Sequence, residues 1–353
     1  MSVKSLEKLR KKLSEENLDG IFLHQRENVL YLTGFTGSTG GALVTMEHAW
    51  ILVDSRYTEQ AGQQCLDFEV VDVDRPWHFQ SLIKDEKTVG FEEDFLTVAI
   101  YDEMKEKLAD SVSLVPASSL MKDVRMYKEP EELDKLQRAV DIADDAFHHI
   151  LSFLKEGVME VDIANELDFY MRSQGATGPS FDFIVASGER SALPHGVASR
   201  KKLEHGEAVL MDYGCIYENY CSDMTRTVFL GDPGPEMQQL YYIVKEGQAR
   251  AYRNAIVGKA MNLPELAVRS YFQQMDLEQY FGHSLGHGVG LEIHEMPFAN
   301  RKATEKFRPG MVFTIEPGIY IPNGAGVRIE DMVYMTYNGP HTMTGSPKEL
   351  IIL

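Results

Sequence analysis

Five side chains in the second half of this 353-residue sequence carry charge or metal-binding chemistry where their neighbours are apolar. Asp212 follows Val209-Leu210-Met211, and Asp223 lies between Tyr220-Cys221-Ser222 and Met224-Thr225-Arg226-Thr227. Glu316 ends the run Phe313-Thr314-Ile315, and Glu330 interrupts Val327-Arg328-Ile329 and Met332-Val333. His287 is one of three histidines, with His283 and His294, in a short stretch of a chain that has only 11. Aspartate is disfavoured inside strands, and two bare carboxylates a few ångströms apart would force one to stay protonated. A bound cation removes that cost. Two Asp, two Glu and an imidazole form an oxygen-rich donor set whose negative charge balances a pair of divalent cations. Two such ions ~3.5–4 Å apart can share a water and lower its pKa. Taken singly, each residue has a plainer reading: Asp as a turn residue, His as a hydrogen-bonded core group, Glu316-Pro317 as a strand end.

The elements that must position these groups follow from pattern. Apolar and aromatic residues on both sides of Glu218-Asn219 predict a β-hairpin that brings Asp212 and Asp223 onto neighbouring strands. His283 and His287 are four apart, as in a zinc-binding helix, but the intervening glycines argue against a helix. Alternation puts Arg328 and Glu330 on one face, where Arg328 can steady an acidic ligand. Cys215 and Cys221 flank the acidic pair and read as buried hydrophobes rather than thiolate ligands. Upstream, Pro130 predicts a helix start, with Glu131 and Glu132 in the first turn and Gly157 as its end. A second helix is expected over 161–173. Leu6, Leu9 and Leu13 predict an N-terminal helix, and apolar runs at 20–23, 29–32, 42–45 and 49–53 read as strands. The glycine-rich stretch 34–41 lacks the Gly-Lys-Ser/Thr end of a phosphate loop and reads as a tight turn. The charged, aperiodic stretch 122–129 reads as a linker. These features predict an α/β domain over 1–122 and an α+β domain over 123–353.

Composition narrows the partners. With 35 Lys+Arg against 54 Asp+Glu, the net charge is −19, which repels phosphate backbones and anionic bilayers, so neither nucleic acid nor membrane is expected as a partner. No run approaches a spanning length of apolar residues. Three cysteines, an odd number, and an N-terminus without an apolar signal core point to a cytoplasmic location.

The order Asp212, Asp223, His287, Glu316, Glu330 resembles the ligand set of the pita-bread dinuclear metallopeptidases, which include methionine aminopeptidase, aminopeptidase P and prolidase. The local signatures are Asp-Tyr-Gly, Ser-Asp-Met-Thr-Arg-Thr, Gly-His-Gly-Val-Gly, His-Glu-Met-Pro, Ile-Glu-Pro-Gly and Arg-Ile-Glu-Asp. Ser191-Ala192-Leu193-Pro194-His195-Gly196 is similar to the family segment whose histidine faces substrate. Tyr31-Leu32-Thr33-Gly34-Phe35 and Asp54-Ser55-Arg56-Tyr57 resemble the creatinase-type N-terminal domain, which methionine aminopeptidase lacks.

The resemblance implies a creatinase-like α/β domain followed by a pita-bread catalytic domain, acting as an Xaa-Pro dipeptidase or aminopeptidase on small peptides with proline second. It implies two divalent ions, Mn²⁺ ahead of Co²⁺ or Zn²⁺, held by the five ligands, and a homodimer. Glu316 would also move the proton, and His195 and His294 would orient and stabilise the scissile carbonyl. His283, Arg328 and Tyr320 are the remaining substrate-side candidates, with a structural role for His283 equally open. Phe298 follows Pro297 where prolidase-like relatives can place an arginine, which puts strict dipeptide selectivity in question unless Arg301, Lys302 or Arg56 substitutes. The competing readings are a creatinase-like C–N hydrolase, which does not use the metal pair, and a non-catalytic binding module, which usually loses ligands.

Overall fold

The computed structural model describes residues 2–353. The chain forms two compact units, Met1–Arg125 and Met126–Leu353.

In the first unit, α1 (Ser2–Glu15) buries Leu6, Leu9 and Leu13. Six strands follow: β1 (Gly20–Leu23), β2 (Gly41–Thr45), β3 (Ala49–Val53), β4 (Glu69–Asp72), β5 (Thr88–Phe91) and β6 (Ser113–Pro116). They form one mixed sheet in the order β4-β3-β2-β1-β5-β6. Helices α2 (Arg26–Thr33), α3 (Thr58–Gln64), α4 (Val98–Lys107) and α5 (Ser118–Met126) complete the unit's chain order. Phe22, Leu43, Trp50, Leu52, Phe79 and Phe91 belong to one buried apolar cluster of the unit.

Two expectations are corrected here. The run 29–32 is not a strand but the body of α2, which buries Asn28, Val29, Tyr31, Leu32 and Thr33. A short apolar run fits either period; what selects the helix is the Glu92 carboxylate, which accepts from His24 N (2.5 Å) and Gln25 N (2.7 Å) at its start, and Gly34 (φ 79°), which ends it. The stretch read as a linker from 122 is helical as far as Met126, because Leu120, Met121 and Val124 bury one face while the charges take the other. The two compact units divide within the last turn of α5, at Arg125/Met126. The 34–41 stretch does turn tightly: a Cβ on Gly37 would stand 2.2 Å from the Phe35 ring, so the loop lies directly on that side chain.

The second unit contains two similar successions, each a pair of helices followed by antiparallel strands. The first is α6 (Pro130–Leu151), α7 (Glu160–Ser173), β7 (Gly178–Pro179), β8 (Ile184–Ser187), β9 (Glu207–Tyr213), β10 (Cys215–Tyr217), β11 (Tyr220–Cys221) and β12 (Met224–Leu230). The second is α8 (Gly234–Asn254), α9 (Leu263–Gln274), β13 (Gly286–Gly288), β14 (Glu295–Ala299), β15 (Val312–Ile315), β16 (Gly318–Tyr320), β17 (Gly326–Arg328), β18 (Asp331–Thr336) and β19 (Gly339–Thr342). The sheets run β12-β9-β8 and β14-β13-β15-β18-β19, with small sheets β11-β10-β7 and β16-β17. Each half has its own core, α6 and α7 over β8, β9 and β12 in one, α8 and α9 over β15, β17 and β18 in the other. Helix α6 starts at Pro130 with a capping box of Glu129 and Glu132. It stops at Leu151, earlier than expected, where Ser152 Oγ donates to His149 O; Gly157 (φ 86°) turns the chain afterwards. Among the described residues no helix is long and apolar enough to cross a membrane.

Glu103 on α4 supplies a test of the first unit. Its carboxylate accepts from His78 Nε2 and Trp77 Nε1, both at 2.8 Å, and these bonds hold its pKa at about 2. The folded value lies below the ordinary 4.5, so the stabilisation is complete above that pH and disappears as pH falls toward 2. Both tryptophans, Trp50 and Trp77, lie in this unit. Urea unfolding followed by tryptophan fluorescence should lose midpoint faster from about pH 5 to pH 3 in the wild type than in Glu103→Gln. Parallel losses would refute the assignment.

Candidate active site

The hairpin around Glu218 and Asn219, both at positive φ, folds β11 onto β10 and returns the chain alongside β9. Asp212 lies opposite Thr225 in the β9–β12 register, and Asp223 sits in the short break between β11 and β12. Gly214 makes the crossing possible, since a Cβ there would stand 1.8 Å from Ser222 O. In the other half, the β15–β18 and β16–β17 ribbons share two chain segments, and the ladder breaks between them. Glu316 leaves one segment at that break and Glu330 leaves the other. His287 enters from β13, its backbone N donating to Thr314 Oγ1 (3.2 Å).

All five expected ligands line one cavity of about 510 Å³, together with His195, His283, His294 and Arg328. His287 Nε2 stands 3.5 Å from Asp223 Oδ2 and 3.6 Å from Glu316 Oε1. One ligand atom from each of Asp223, His287 and Glu330 lies within 4.8 Å of the other two. Arg328 organises the cluster: Nη2 bonds Asp212 Oδ2 (2.5 Å), Nε bonds Thr225 Oγ1 (2.9 Å), and Nη1 bonds Tyr320 OH (2.7 Å) and Pro194 O (3.1 Å). Thr225 Oγ1 in turn donates to Glu330 Oε2 (2.7 Å). Tyr320, expected on the site wall, stands behind it, with its hydroxyl shared between Arg328 and His283 Nε2 (2.8 Å). His294 faces the cavity with its ring centroid 4.2 Å from that of His287.

The electrostatics follow from this crowding. Burial raises Asp212, and burial followed by the neighbouring carboxylates raises Asp223 and Glu316 well above the usual range. Burial, with Asp212 next, pushes Glu330 up to about 8. Burial lowers His287 to about 4 and His283 to about 3, so both imidazoles are neutral and keep a lone pair. Asp212 Oδ1 is buried without a hydrogen-bond partner. An orphaned carboxylate oxygen, three more acids that resist ionising beside one another, and a neutral imidazole are the donor chemistry that divalent cations complete. The residues present therefore fit such ions. Burial pushes the Cys215 thiol up to about 11, its side chain is absent from the cavity wall, and none of the three cysteines forms a disulfide.

Several residues of the site were missed from sequence. Thr225 and Thr314 are ordinary strand residues by type; the alternation Asp223, Thr225, Thr227 along one strand face was the available signal. Asp182, exposed on the cavity wall, is a carboxylate outside the buried cluster. Phe181, Ile184, Val197, Ile293 and Phe298 form the apolar lining. Arg301 and Lys302 are exposed on the turn after β14 and take no part in the wall; Arg56 belongs to the first unit and pairs with Asp54 at 2.7 Å.

Comparison with known proteins agrees with this geometry. Metallopeptidase family M24 matches over residues 134–337, and the creatinase/prolidase N-terminal domain over residues 6–127. The chain is 38% identical to an Xaa-Pro dipeptidase of Pyrococcus furiosus, over 98% of this chain and 99% of that protein. Among solved structures it is similar to an Xaa-Pro dipeptidase from Bacillus anthracis (43% identity, TM-score 0.96, all of both chains). It is also similar to an X-Pro aminopeptidase from Thermotoga maritima (35% identity, TM-score 0.89, 96% of this chain and 99% of that one). The architecture is that of a creatinase-type domain followed by a pita-bread catalytic domain.

Thr225→Val, nearly isosteric, removes the donor to Glu330 and the acceptor for Arg328. It should weaken divalent-ion affinity roughly 10–100-fold with the fold intact, as read by calorimetric titration of the metal-free protein. Unchanged affinity would separate Thr225 from the centre.

Proposed function

This chain belongs to metallopeptidase family M24, and we propose that it hydrolyses the bond between an N-terminal residue and proline in small peptides. The observation that carries the reading is the convergence of Asp212, Asp223, His287, Glu316 and Glu330 on one cavity that also holds His195 and His294. The five are proposed as ligands to two divalent ions, which when bound supply Lewis acidity at the scissile carbonyl and acidify water. Hard oxygen donors with one imidazole favour Mn²⁺, with Co²⁺ or Zn²⁺ as substitutes.

The chain's own groups have separate tasks. Glu316 receives a proton at its carboxylate and returns it to the departing proline nitrogen. His195 and His294 donate to the carbonyl oxygen as it gains negative charge. Arg328 holds Asp212 and, through Thr225, Glu330, so the acids keep their orientation before substrate arrives. Phe181, Ile184, Ile293 and Phe298 offer the pyrrolidine ring an apolar wall. A bond before proline is a tertiary amide with no N–H, so recognition rests on shape rather than on a donor from the scissile amide. Asp182 gives the free α-ammonium a partner, which makes the enzyme an exopeptidase. The reading includes a cytoplasmic homodimer. Retention of all five acid and imidazole positions weighs against a creatinase-like hydrolase or a binding module.

The direct test compares Xaa-Pro dipeptides with Xaa-Pro-Xaa tripeptides, using metal-free protein reloaded with Mn²⁺, Co²⁺ or Zn²⁺. Cleavage of dipeptides alone defines a prolidase and cleavage of tripeptides an aminopeptidase P; no cleavage by protein that holds two ions per chain would refute the proposal. In the active form, Glu316→Gln should lower kcat by about 10²–10⁴-fold. Asp182→Asn should raise KM for free-amine substrates with little change in kcat and narrow the preference over N-acetylated peptides. A KM that does not move would remove Asp182 from substrate recognition.

A further inference from the structure

We propose that Glu160 is a positioning residue for His195: its carboxylate ties together both ends of the segment that presents this imidazole to the cavity. The inference rests on the substrate-facing role given to His195 above. Glu160 is the first residue of α7, is 0% exposed, and is absent from the cavity wall. Its Oε1 accepts from Ser187 N (2.7 Å) and Ser187 Oγ (2.9 Å). Its Oε2 accepts from Arg190 Nη1 (2.6 Å), Ser199 N (3.1 Å) and Ser199 Oγ (2.6 Å). Ser187 ends β8 and Ser199 closes the segment. Between them Leu193 and His195 are exposed; from the opposite half the stretch is met by Gly326 N on Ser191 Oγ (2.8 Å) and Arg328 Nη1 on Pro194 O (3.1 Å), while its two ends are held by Glu160.

All five of these bonds run to the 187–199 segment. Arg190 Nη2 then bonds Val197 O (2.9 Å), which closes the stretch on itself. The backbone adds to the anchorage, with Glu160 N on Lys201 O (3.0 Å) and Val161 N on Ser199 O (2.9 Å). The two carboxylate oxygens accept all five bonds, whereas an amide at the same place must turn one –NH₂ toward a donor. A misplacement near 1 Å at a group acting on the reacting carbonyl can cost about a hundredfold in rate.

The experiment compares Glu160→Gln, His195→Ala and the double variant in the metal-loaded full chain. It measures kcat and KM on an Xaa-Pro substrate, bound metal per chain, and tryptic cleavage after Arg190 and Arg200. Glu160→Gln should lower kcat roughly 10–100-fold, with metal content and helical dichroism retained. The double variant should be no slower than His195→Ala alone, and cleavage should quicken in Glu160→Gln but not in His195→Ala. Multiplicative losses in the double variant, or wild-type cleavage rates in Glu160→Gln, would overturn the proposal. Full activity in His195→Ala would instead overturn the role of His195, while the cleavage contrast would still report whether Glu160 anchors the segment. If Glu160→Gln does not fold, Ser199→Ala, which removes one donor, should change rate and cleavage in the same direction by less; no change in it would also overturn the proposal.

Discussion

Asp212, Asp223, Glu316 and Glu330 share one buried volume, and mutual repulsion in a poorly solvated place is the constraint the surrounding structure has to meet. Arg328 is the permanent cation in their midst, and it bonds directly to one of the four. Burial raises all four carboxyl groups, Asp223 and Glu316 well above the usual carboxylate range and Glu330 to about 8. Four acids gathered in this way are poor cement, since packed apolar groups of similar volume would often stabilise a protein more. Their arrangement is what the ligand role proposed for them requires.

Keeping those groups apart and oriented is the work of chain geometry more than of charge. Asp223, Glu316 and Glu330 each sit where a strand ladder stops: between β11 and β12, after β15, and between β17 and β18. At a break the side chain can leave the alternation of the pleat and turn inward. Asp212, inside β9, is instead held by Arg328 from the opposite half of the unit. The loops that carry His195 and His294 are fastened from behind by buried carboxylates. Glu160 fastens the His195 segment, and Glu295, bonded to Lys128 Nζ at 2.5 Å and to Glu292 N at 3.3 Å, fastens the turn before β14 that bears His294.

Much of this was legible in the sequence because charged residues inside apolar runs contradict strand propensity, and contradiction is visible without a structure. Asp212, Asp223, Glu316 and Glu330 were found on that ground, and the Glu218-Asn219 hairpin on turn chemistry. Thr225 was not, because a β-branched residue in a strand contradicts nothing. Glu160 was hidden for a related reason: acids in the first turn of a helix are favoured by its dipole, so a residue with a second task there looks ordinary. The 29–32 run was misread because four apolar-leaning residues do not reveal their period, and the deciding group, Glu92, lies 67 residues from Gln25 in the chain. The 122–126 stretch was misread because its charges were counted and the spacing of Leu120, Met121 and Val124 was not.

The seam between the two halves has a consequence in time. Arg328 and Asp212 are 116 residues apart in the chain, and Thr225 and Glu330 are 105 apart. A polypeptide emerging from the ribosome therefore exposes Asp212 and Asp223 long before His287, Glu316 or Glu330 exists. Until the second succession of helices and strands has folded back, the early acids form an open pair, with neither the imidazole nor the guanidinium that completes the set. If the five residues hold ions as proposed, the complete donor set is available to them only once this second succession has folded back.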